Sequence, residues 1–298
     1  MNPAYQNWNA EKLYEALLPL LPGISIEVLA RAESTNSALL DRIKSDARSG
    51  EPQPYGRRAH DMQPCLLVAE HQTHGRGRLG RAWLSAPGSS LTFSLALNLA
   101  PADWSGLSLA VGCAIAEALE PSLGLKQAPR LTLKWPNDIW LDGRKLGGIL
   151  IETVTAGAGR MAVIGVGLNI KELNAGKDSE DSSLQFNTGF AALNELRPDC
   201  TAPAALALIA PALVQCLLDF EQNGFGPWAS RYARRDLTLG QGVTAGQVEG
   251  VSRGVGTQGE LLLQTPQGVV AINGGEVSLR LTPSPDVCAA QQQPQQQG

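Results

Sequence analysis

Apolar residues along the first three quarters of the chain follow two periods, and each period predicts its own kind of element. Spacings of three and four residues are typical of helices, whereas alternation with polar residues or a short apolar run is typical of strands. Helices are predicted for residues 9–21, 34–47, 105–123 and 200–224, and strands for 25–33, 65–70, 90–99, 131–135, 138–143, 145–154 and 160–170. This order of elements indicates an α+β fold.

The pattern changes near residues 234–237. Short valine- and leucine-rich runs separated by glycine follow, as in "GVSRGVGTQGELLLQTPQGVVAINGGEVSLRL". Several short strands at this spacing predict a small β-barrel. The expected division is therefore a domain at 1–234, a small domain at 235–283, and a disordered, glutamine-rich tail at 284–298.

Composition narrows the possible functions. The net charge of −4 over 298 residues does not favour a protein that coats nucleic acid, which needs a basic surface. The five cysteines are scattered without a CxxC pair, so neither a disulfide framework nor a zinc site is expected. No segment has the roughly 18 uninterrupted apolar residues of a membrane span. These observations favour the reducing environment of the cytoplasm.

The stretch "GRGRLGR" at residues 75–81 places three arginines and three glycines directly after an apolar strand. It is not a P-loop, because no Gly-Lys-Ser/Thr follows, and a strand rather than a helix comes next. Glycines let a backbone approach a ligand, and guanidinium groups suit carboxylate or phosphate. In an extended chain Arg76 and Arg78 share a face. A solvated surface turn, or an arginine–glycine loop that binds RNA, is the alternative interpretation.

A second candidate is "LKWPNDIWLDGRKLGGILIE" at residues 133–152. Pro136 fixes a bend at which Asn137 and Asp138 offer a carbonyl and a carboxylate. Lys145 enters an otherwise apolar strand beside two glycines, an arrangement that favours a ligand against the backbone. The alternative is an ordinary turn followed by a charged residue at a strand edge.

Four blocks in this order carry a resemblance to a known family: "STN" (34–36), "AEHQTHGRGRLGRAW" (69–83), "KWPNDIWLDGRKLGGILIE" (134–152) and "VIGVGLNI" (163–170). Together they resemble the catalytic domain of biotin–protein ligases, and the C-terminal part resembles the small domain of the bacterial members. The resemblance implies a mixed sheet backed by helices, followed by an SH3-like barrel.

The resemblance implies a two-step reaction: biotin and ATP, with Mg²⁺, give biotinyl-5'-AMP, and the biotinyl group then passes to a lysine of the biotin carboxyl carrier protein of acetyl-CoA carboxylase. Biotin is expected to contact Ser34, Thr35, Asn36, Gln72, Gly75, Arg76, Gly77, Arg78, Trp83, Lys145, Gly147 and Gly148. ATP is expected to contact Arg78, Arg81, Asn137, Lys145, Asn169 and Arg280. Catalytic roles are expected for Lys145, Arg78 and Asp138, the last to hold Mg²⁺ or to assist the attacking lysine.

Further expectations concern three other residues, the domain content and the oligomeric state. Phe186 is a candidate to stack on adenine, and Glu276 is a candidate to reach the nucleotide. His74 stands where a small residue is expected, which puts the local loop conformation in doubt. Only one helix and one strand precede Ser34, so a ligase without a DNA-binding repressor domain is expected. A monomer or a homodimer is compatible with the sequence. The alternatives are a lipoate or octanoate transferase of the same fold and a non-catalytic biotin sensor.

Overall fold

The computed structural model describes residues 6–48, 63–121, 127–156, 159–172, 189–273 and 279–281. Its helices are α1 (Ala10–Leu17), α2 (Thr35–Arg48), α3 (Leu107–Leu119), α4 (Ala202–Asn223) and α5 (Ala229–Ala233). Its strands are β1 (Ser25–Ala32), β2 (Cys65–Gln72), β3 (Gly75–Arg76), β4 (Ala82–Trp83), β5 (Ser90–Asn98), β6 (Leu131–Lys134), β7 (Asp138–Leu141), β8 (Arg144–Ala156), β9 (Gly159–Asn169), β10 (Gly242–Ala245), β11 (Val248–Val255), β12 (Leu261–Thr265), β13 (Gly268–Ile272) and β14 (Leu279–Leu281).

The main sheet has seven strands in the order β1-β2-β5-β9-β8-β7-β6. Strands β1 and β2 are parallel, because the connection between them contains helix α2, whereas the other neighbours are antiparallel. This is the mixed sheet that the family resemblance implied, so the predicted fold class is confirmed.

Helices cover the two faces of the main sheet unequally. On one face, α3 and α4 pack with inward residues of β5 and β9, such as Phe93 and Ile164, to form the main hydrophobic core. On the other face, α2 packs through Leu39 and Ile43 on Ala96 and Val163. Helix α2 therefore covers only one end of this second face.

On β5 and β9, the rest of the second face is polar or lacks side chains. Side chains alternate between the faces of a strand, so the residues that continue from Ala96 and Val163 are Ser94, Thr92 and Ser90 on β5, and Gly165, Gly167 and Asn169 on β9. Gly148 pairs with Gly167 and with Asp138, which extends this surface across β8 and β7. The candidate site lies on this part of the sheet.

Helix α4 is long and apolar enough to cross a membrane by length and composition. Half of its apolar window is buried, and the helix packs against α1 and α3 in the core. Its predicted ends are confirmed: Thr201 Oγ1 accepts a hydrogen bond from the backbone N–H of Ala204 at 3.3 Å, and Gly224 follows the last turn with φ 62°.

Two predicted helices are shorter than the pattern indicated. Helix α1 ends at Leu17 rather than residue 21, because Pro19 cannot donate the N–H of a continuing turn. Asn9 precedes this helix, but its side chain makes no capping bond. Helix α3 begins at Leu107 and ends at Leu119.

A five-stranded antiparallel sheet, in the order β13-β12-β11-β10-β14, forms the C-terminal part of the chain where the small barrel was predicted. The segment before it pairs with the edge of the main sheet: the N–H of Leu133 donates to the carbonyl of Arg235 at 2.7 Å, and the N–H of Leu237 donates to the carbonyl of Leu133 at 3.0 Å. The predicted tail at 284–298 lies outside the described residues. The exact domain boundaries stay a prediction.

Candidate functional site

A buried polar network surrounds the N-terminus of α2. Gln72 Oε1 accepts from the backbone N–H of Thr35 at 2.7 Å and lies 3.1 Å from its hydroxyl. Ser94 Oγ lies 2.6 Å from both Thr35 Oγ1 and Asn36 Oδ1. Each of these four side chains is less than a tenth exposed. Thr35 and Ser94 have two hydroxyl hydrogens between them, whereas the network contains three oxygen–oxygen contacts. Its oxygen atoms therefore have lone pairs left that can accept a hydrogen bond from a ligand N–H.

The Asn36 amide has one orientation in this network. Its Nδ2 donates to the carbonyl of Leu150 at 3.1 Å and to Glu152 Oε2 at 2.9 Å, and both of these partners can only accept. Its Oδ1 therefore faces Ser94 and the sheet. A Cβ atom at Gly165 would lie 2.2 Å from that oxygen, so the absent side chain makes room for Asn36.

The glycine–arginine segment folds into a hairpin. Strands β3 and β4 pair Gly75 with Trp83, and the N–H of Gly77 donates to the carbonyl of Arg81 at 2.7 Å. A Cβ at Gly75 would lie 2.3 Å from the carbonyl oxygen of Trp83, so glycine is required there. Leu79 at the tip has φ 58°. The glycines thus allow a close turn instead of an extended loop.

The hairpin reaches the main sheet through its arginines. The guanidinium of Arg76 forms an ion pair with Glu152 of β8 at 2.7 Å. That of Arg78 donates to Asn137 Oδ1 at 3.3 Å, at the bend before β7. The chain is extended between these arginines, at Gly77, and both side chains meet the sheet.

Four basic side chains gather around one carboxylate. Lys145 Nζ lies 2.8 Å from Asp138 Oδ1, and these side chains are 16% and 22% exposed. Burial lowers the pKa of Arg78, and the charge of Arg81 lowers it further. Burial also lowers the pKa of Lys134, to which the charges of Lys145 and Arg81 contribute. The excess of positive charge in a partly buried place favours anionic ligands.

The bend at Pro136 holds two polar side chains against this cluster. Asn137 Nδ2 donates to the carbonyl of Ile149 at 2.7 Å, and the N–H of Ile149 donates back to the carbonyl of Asn137 at 3.0 Å. These bonds attach the bend to β8. The Asn137 oxygen is thereby turned towards the arginine hairpin.

The neighbouring glycines 147 and 148 serve different purposes. A Cβ at Gly147 would lie 2.4 Å from the carbonyl oxygen of Gly167 and from Leu168, so packing within the sheet requires this glycine. A Cβ at Gly148 would lie 3.4 Å from Asp138 Oδ1 and 3.9 Å from Lys145 Nζ, which is ordinary contact. Gly148 therefore leaves room for one more side-chain atom beside the charged pair.

Trp83 lies across the glycine floor of the site. A Cβ at Gly167 would come within 2.4 Å of its indole ring. Its buried Nε1–H has no hydrogen-bond partner among the residues that the structure describes. This indole nitrogen lies beside Gly167 of β9.

Other predicted site residues are placed less completely. Asn169, at the end of β9, is buried and donates to the carbonyl of Ala191 at 3.2 Å. The backbone of Arg280 lies in β14, opposite Thr244, but its side chain is not described. Phe186 and Glu276 lie outside the described residues. His74 is exposed, with Nδ1 3.0 Å from the hydroxyl of Thr73.

In the described part of the chain, no three His, Cys, Asp or Glu side chains cluster as they would in an all-protein metal site. Mg²⁺ is commonly held by one or two carboxylates together with substrate phosphates. Asp138, with the amide oxygen of Asn137 nearby in sequence, fits that kind of site but would supply only part of the coordination.

Sequence reasoning missed Ser94, Glu152, Lys134 and the contact of Trp135 with the C-terminal sheet. A signal for Ser94 was present: Ser90, Thr92 and Ser94 alternate with buried Leu91, Phe93 and Leu95. That alternation marks a polar sheet face. The contacts of Glu152, Lys134 and Trp135 join segments that are far apart in sequence, so no local pattern predicts them.

Comparison with known proteins agrees with this geometry. Residues 58–169 match the biotin/lipoate A/B protein ligase family, and residues 238–280 match the biotin protein ligase C-terminal domain. The bifunctional ligase/repressor BirA of Escherichia coli is 36% identical over 271 residues, which are 89% of this chain and 77% of that protein. A biotin--[acetyl-CoA-carboxylase] ligase of Mycobacterium tuberculosis is 32% identical over 85% of this chain and 88% of that protein.

Solved structures show the same similarity. A biotin protein ligase from Aquifex aeolicus, in complex with biotin and ATP, aligns with a TM-score of 0.65 and 28% identity. The alignment covers 87% of this chain and 99% of that one.

Proposed function

The chain belongs to the biotin–protein ligase family, and from this premise we propose that it activates biotin with ATP and transfers it to a lysine of the biotin carboxyl carrier protein. The observation that carries the proposal is an adjacency. The neutral network of Thr35, Asn36 and Ser94 and the cationic cluster around Lys145 lie on the same face of one sheet. Biotin has a neutral ureido ring at one end and a carboxylate at the other.

The neutral network suits the ureido ring. Two hydroxyl hydrogens shared among three contacts leave acceptor capacity for the ring N–H groups. The free N–H of Trp83 is a donor for an acceptor atom of the ligand. The glycines at 148, 165 and 167 bring no side chains of their own to this face, and two of them make room for Asn36 and Trp83.

The cationic cluster suits the first chemical step. A carboxylate oxygen of biotin attacks the α-phosphorus of ATP, a C–O–P linkage forms, and the bond to the β-phosphate breaks with release of pyrophosphate. Both reactants are anions, so Arg78 and Lys145 offset their repulsion and stabilise charge on the phosphoryl oxygens. Bound Mg²⁺, held partly by Asp138, would neutralise phosphate charge.

The second step needs a neutral amine. The carrier lysine attacks the carbonyl carbon of biotinyl-5'-AMP, an amide bond forms, and AMP leaves with the electron pair of the broken C–O bond. The lysine must lose a proton, and we assign to Asp138, as the alternative to holding Mg²⁺, the role of accepting or orienting that proton. The reaction belongs in the cytoplasm, where the four described cysteines would remain the free thiols that the structure shows.

The test is the intact mass of a biotin carboxyl carrier domain after incubation with this protein, biotin, ATP and Mg²⁺, with each component omitted in turn. A mass gain of one biotinyl group that requires all components supports the proposal. Lipoate and octanoate are offered in parallel, and a gain with one of them alone would assign the transferase alternative. Binding of biotin without any mass gain would favour a sensor.

A further inference from the structure

Glu152 makes two contacts through one oxygen. Its Oε2 accepts from Asn36 Nδ2 at 2.9 Å and from the Arg76 guanidinium at 2.7 Å. Asn36 belongs to the buried network at the start of α2, whereas Arg76 belongs to the hairpin above the sheet. One carboxylate oxygen therefore joins the floor of the site to its cover.

The two contacts support each other electrostatically. The Glu152 side chain is 27% exposed and that of Arg76 is 42% exposed, so water screens the ion pair only in part. Arg76 holds the carboxylate in place for Asn36, and the carboxylate, together with the carbonyl of Leu150, fixes which end of the Asn36 amide faces Ser94. Opening of the hairpin would remove Arg76 from Glu152 Oε2, and the carboxylate would then hold Asn36 less firmly.

We propose that Glu152 is a positioning residue that couples closure of the arginine hairpin to the orientation of Asn36, and so retains the reactive intermediate. The expected consequence, retention of biotinyl-5'-AMP, rests on the proposed function. The coupling itself rests only on the contacts of Glu152. Closure also protects a mixed anhydride from water, which a ligase with two separate half-reactions requires.

The variants are Glu152→Gln, Arg76→Gln and the double variant. Glu27→Gln is the matched control, because Glu27 forms a 2.8 Å ion pair with Arg42 of similar exposure but away from the site. Each protein is loaded with biotin and ATP labelled in the α-phosphate, freed of excess ligand by gel filtration, and followed for release of labelled adenylate.

Glu152→Gln is expected to release the adenylate about 1.5-fold to fivefold faster than the wild type, the range for a partly exposed ion pair. Arg76→Gln is expected to act similarly, and the double variant no more than the stronger single one, because both remove the same link. Glu27→Gln is expected to release it at the wild-type rate.

Limited trypsin digestion is the second readout, with cleavage measured after Arg78 and Arg81 by mass spectrometry. Glu152→Gln loses the ion pair that attaches the hairpin to β8, so faster cleavage of the ligand-free variant is expected and does not depend on adenylate formation. The inference would be overturned if both single variants were cleaved by trypsin, and released the adenylate, at the wild-type rates. Failure of the wild type to form adenylate would instead overturn the proposed function, while the trypsin result would still decide the coupling.

Discussion

Lys145 Nζ and Asp138 Oδ1 lie 2.8 Å apart on neighbouring strands of the sheet. Asp138 therefore has a cationic partner within the protein itself. A phosphate that approaches Lys145 competes with Asp138 for the same ammonium group. In the proposed reaction, this competition would loosen the ion pair when the phosphates of ATP bind.

Replacement of Asp138 by Asn is expected to slow transfer more than adenylate formation. The amide keeps the size of the side chain but cannot accept a proton, and general-base assistance typically contributes 10²–10⁴-fold. Single-turnover transfer from preformed adenylate, compared with pyrophosphate release in the first step, measures the two effects. Equal losses in both steps would instead assign Asp138 to Mg²⁺ binding or to maintaining Lys145.

Alanine at Gly147 and at Gly148 should separate folding from binding. A Cβ at position 147 would lie 2.4 Å from a backbone oxygen, so Gly147→Ala is expected to lower the free energy of unfolding by about 1–3 kcal/mol. Gly148→Ala is expected to unfold like the wild type but to bind biotin or adenylate about tenfold more weakly. Thermal denaturation and titration calorimetry measure these effects, and unchanged ligand affinity in Gly148→Ala would show that no ligand lies there.

Trp135→Phe tests the connection between the site and the C-terminal sheet. The buried Nε1–H of Trp135 donates to the carbonyl of Gly259 at 3.1 Å. Loss of this bond leaves a buried acceptor unpaired, and a cost of about 1–3 kcal/mol is expected. Trp140→Phe is the control, because the Nε1 of Trp140 has no hydrogen-bond partner within the described ranges. Equal destabilisation in urea by both changes would contradict this role for the bond.

Asp236→Asn is expected to stabilise the protein at neutral pH. Burial raises the pKa of Asp236, and its Oδ2 has no hydrogen-bond partner among the described residues. A carboxyl whose folded pKa is raised contributes stability below its unfolded pKa and loses it as pH rises through the folded value. The amide removes this cost, so Tm should rise by about 2 °C at pH 7 and little at pH 4. An equal shift at both pH values would exclude ionisation as the cause.

The sequence predicted the elements of the main sheet well because their apolar residues alternate or run together. It also singled out two compact blocks, and the structure joins them by the hydrogen bond from Arg78 to Asn137. Partners brought in from elsewhere were beyond local patterns: Glu152 lies 76 residues from Arg76, and Trp135 lies 124 residues from Gly259. The pattern likewise could not tell that Gly147 is needed for packing, whereas a Cβ at its neighbour Gly148 would make only ordinary contacts.

Strands β8 and β9 place Gly148 opposite Gly167 and Leu150 opposite Gly165, so the pocket exists in one register only. A slip of one residue would turn the glycines into the core and the bulky side chains outwards. Such a molecule could keep its strands and still lack every contact that a ligand needs. The fraction of molecules that bind ligand in a fresh preparation would therefore measure the fraction with the correct strand register. Circular dichroism alone cannot measure it, because both registers contain the same strands.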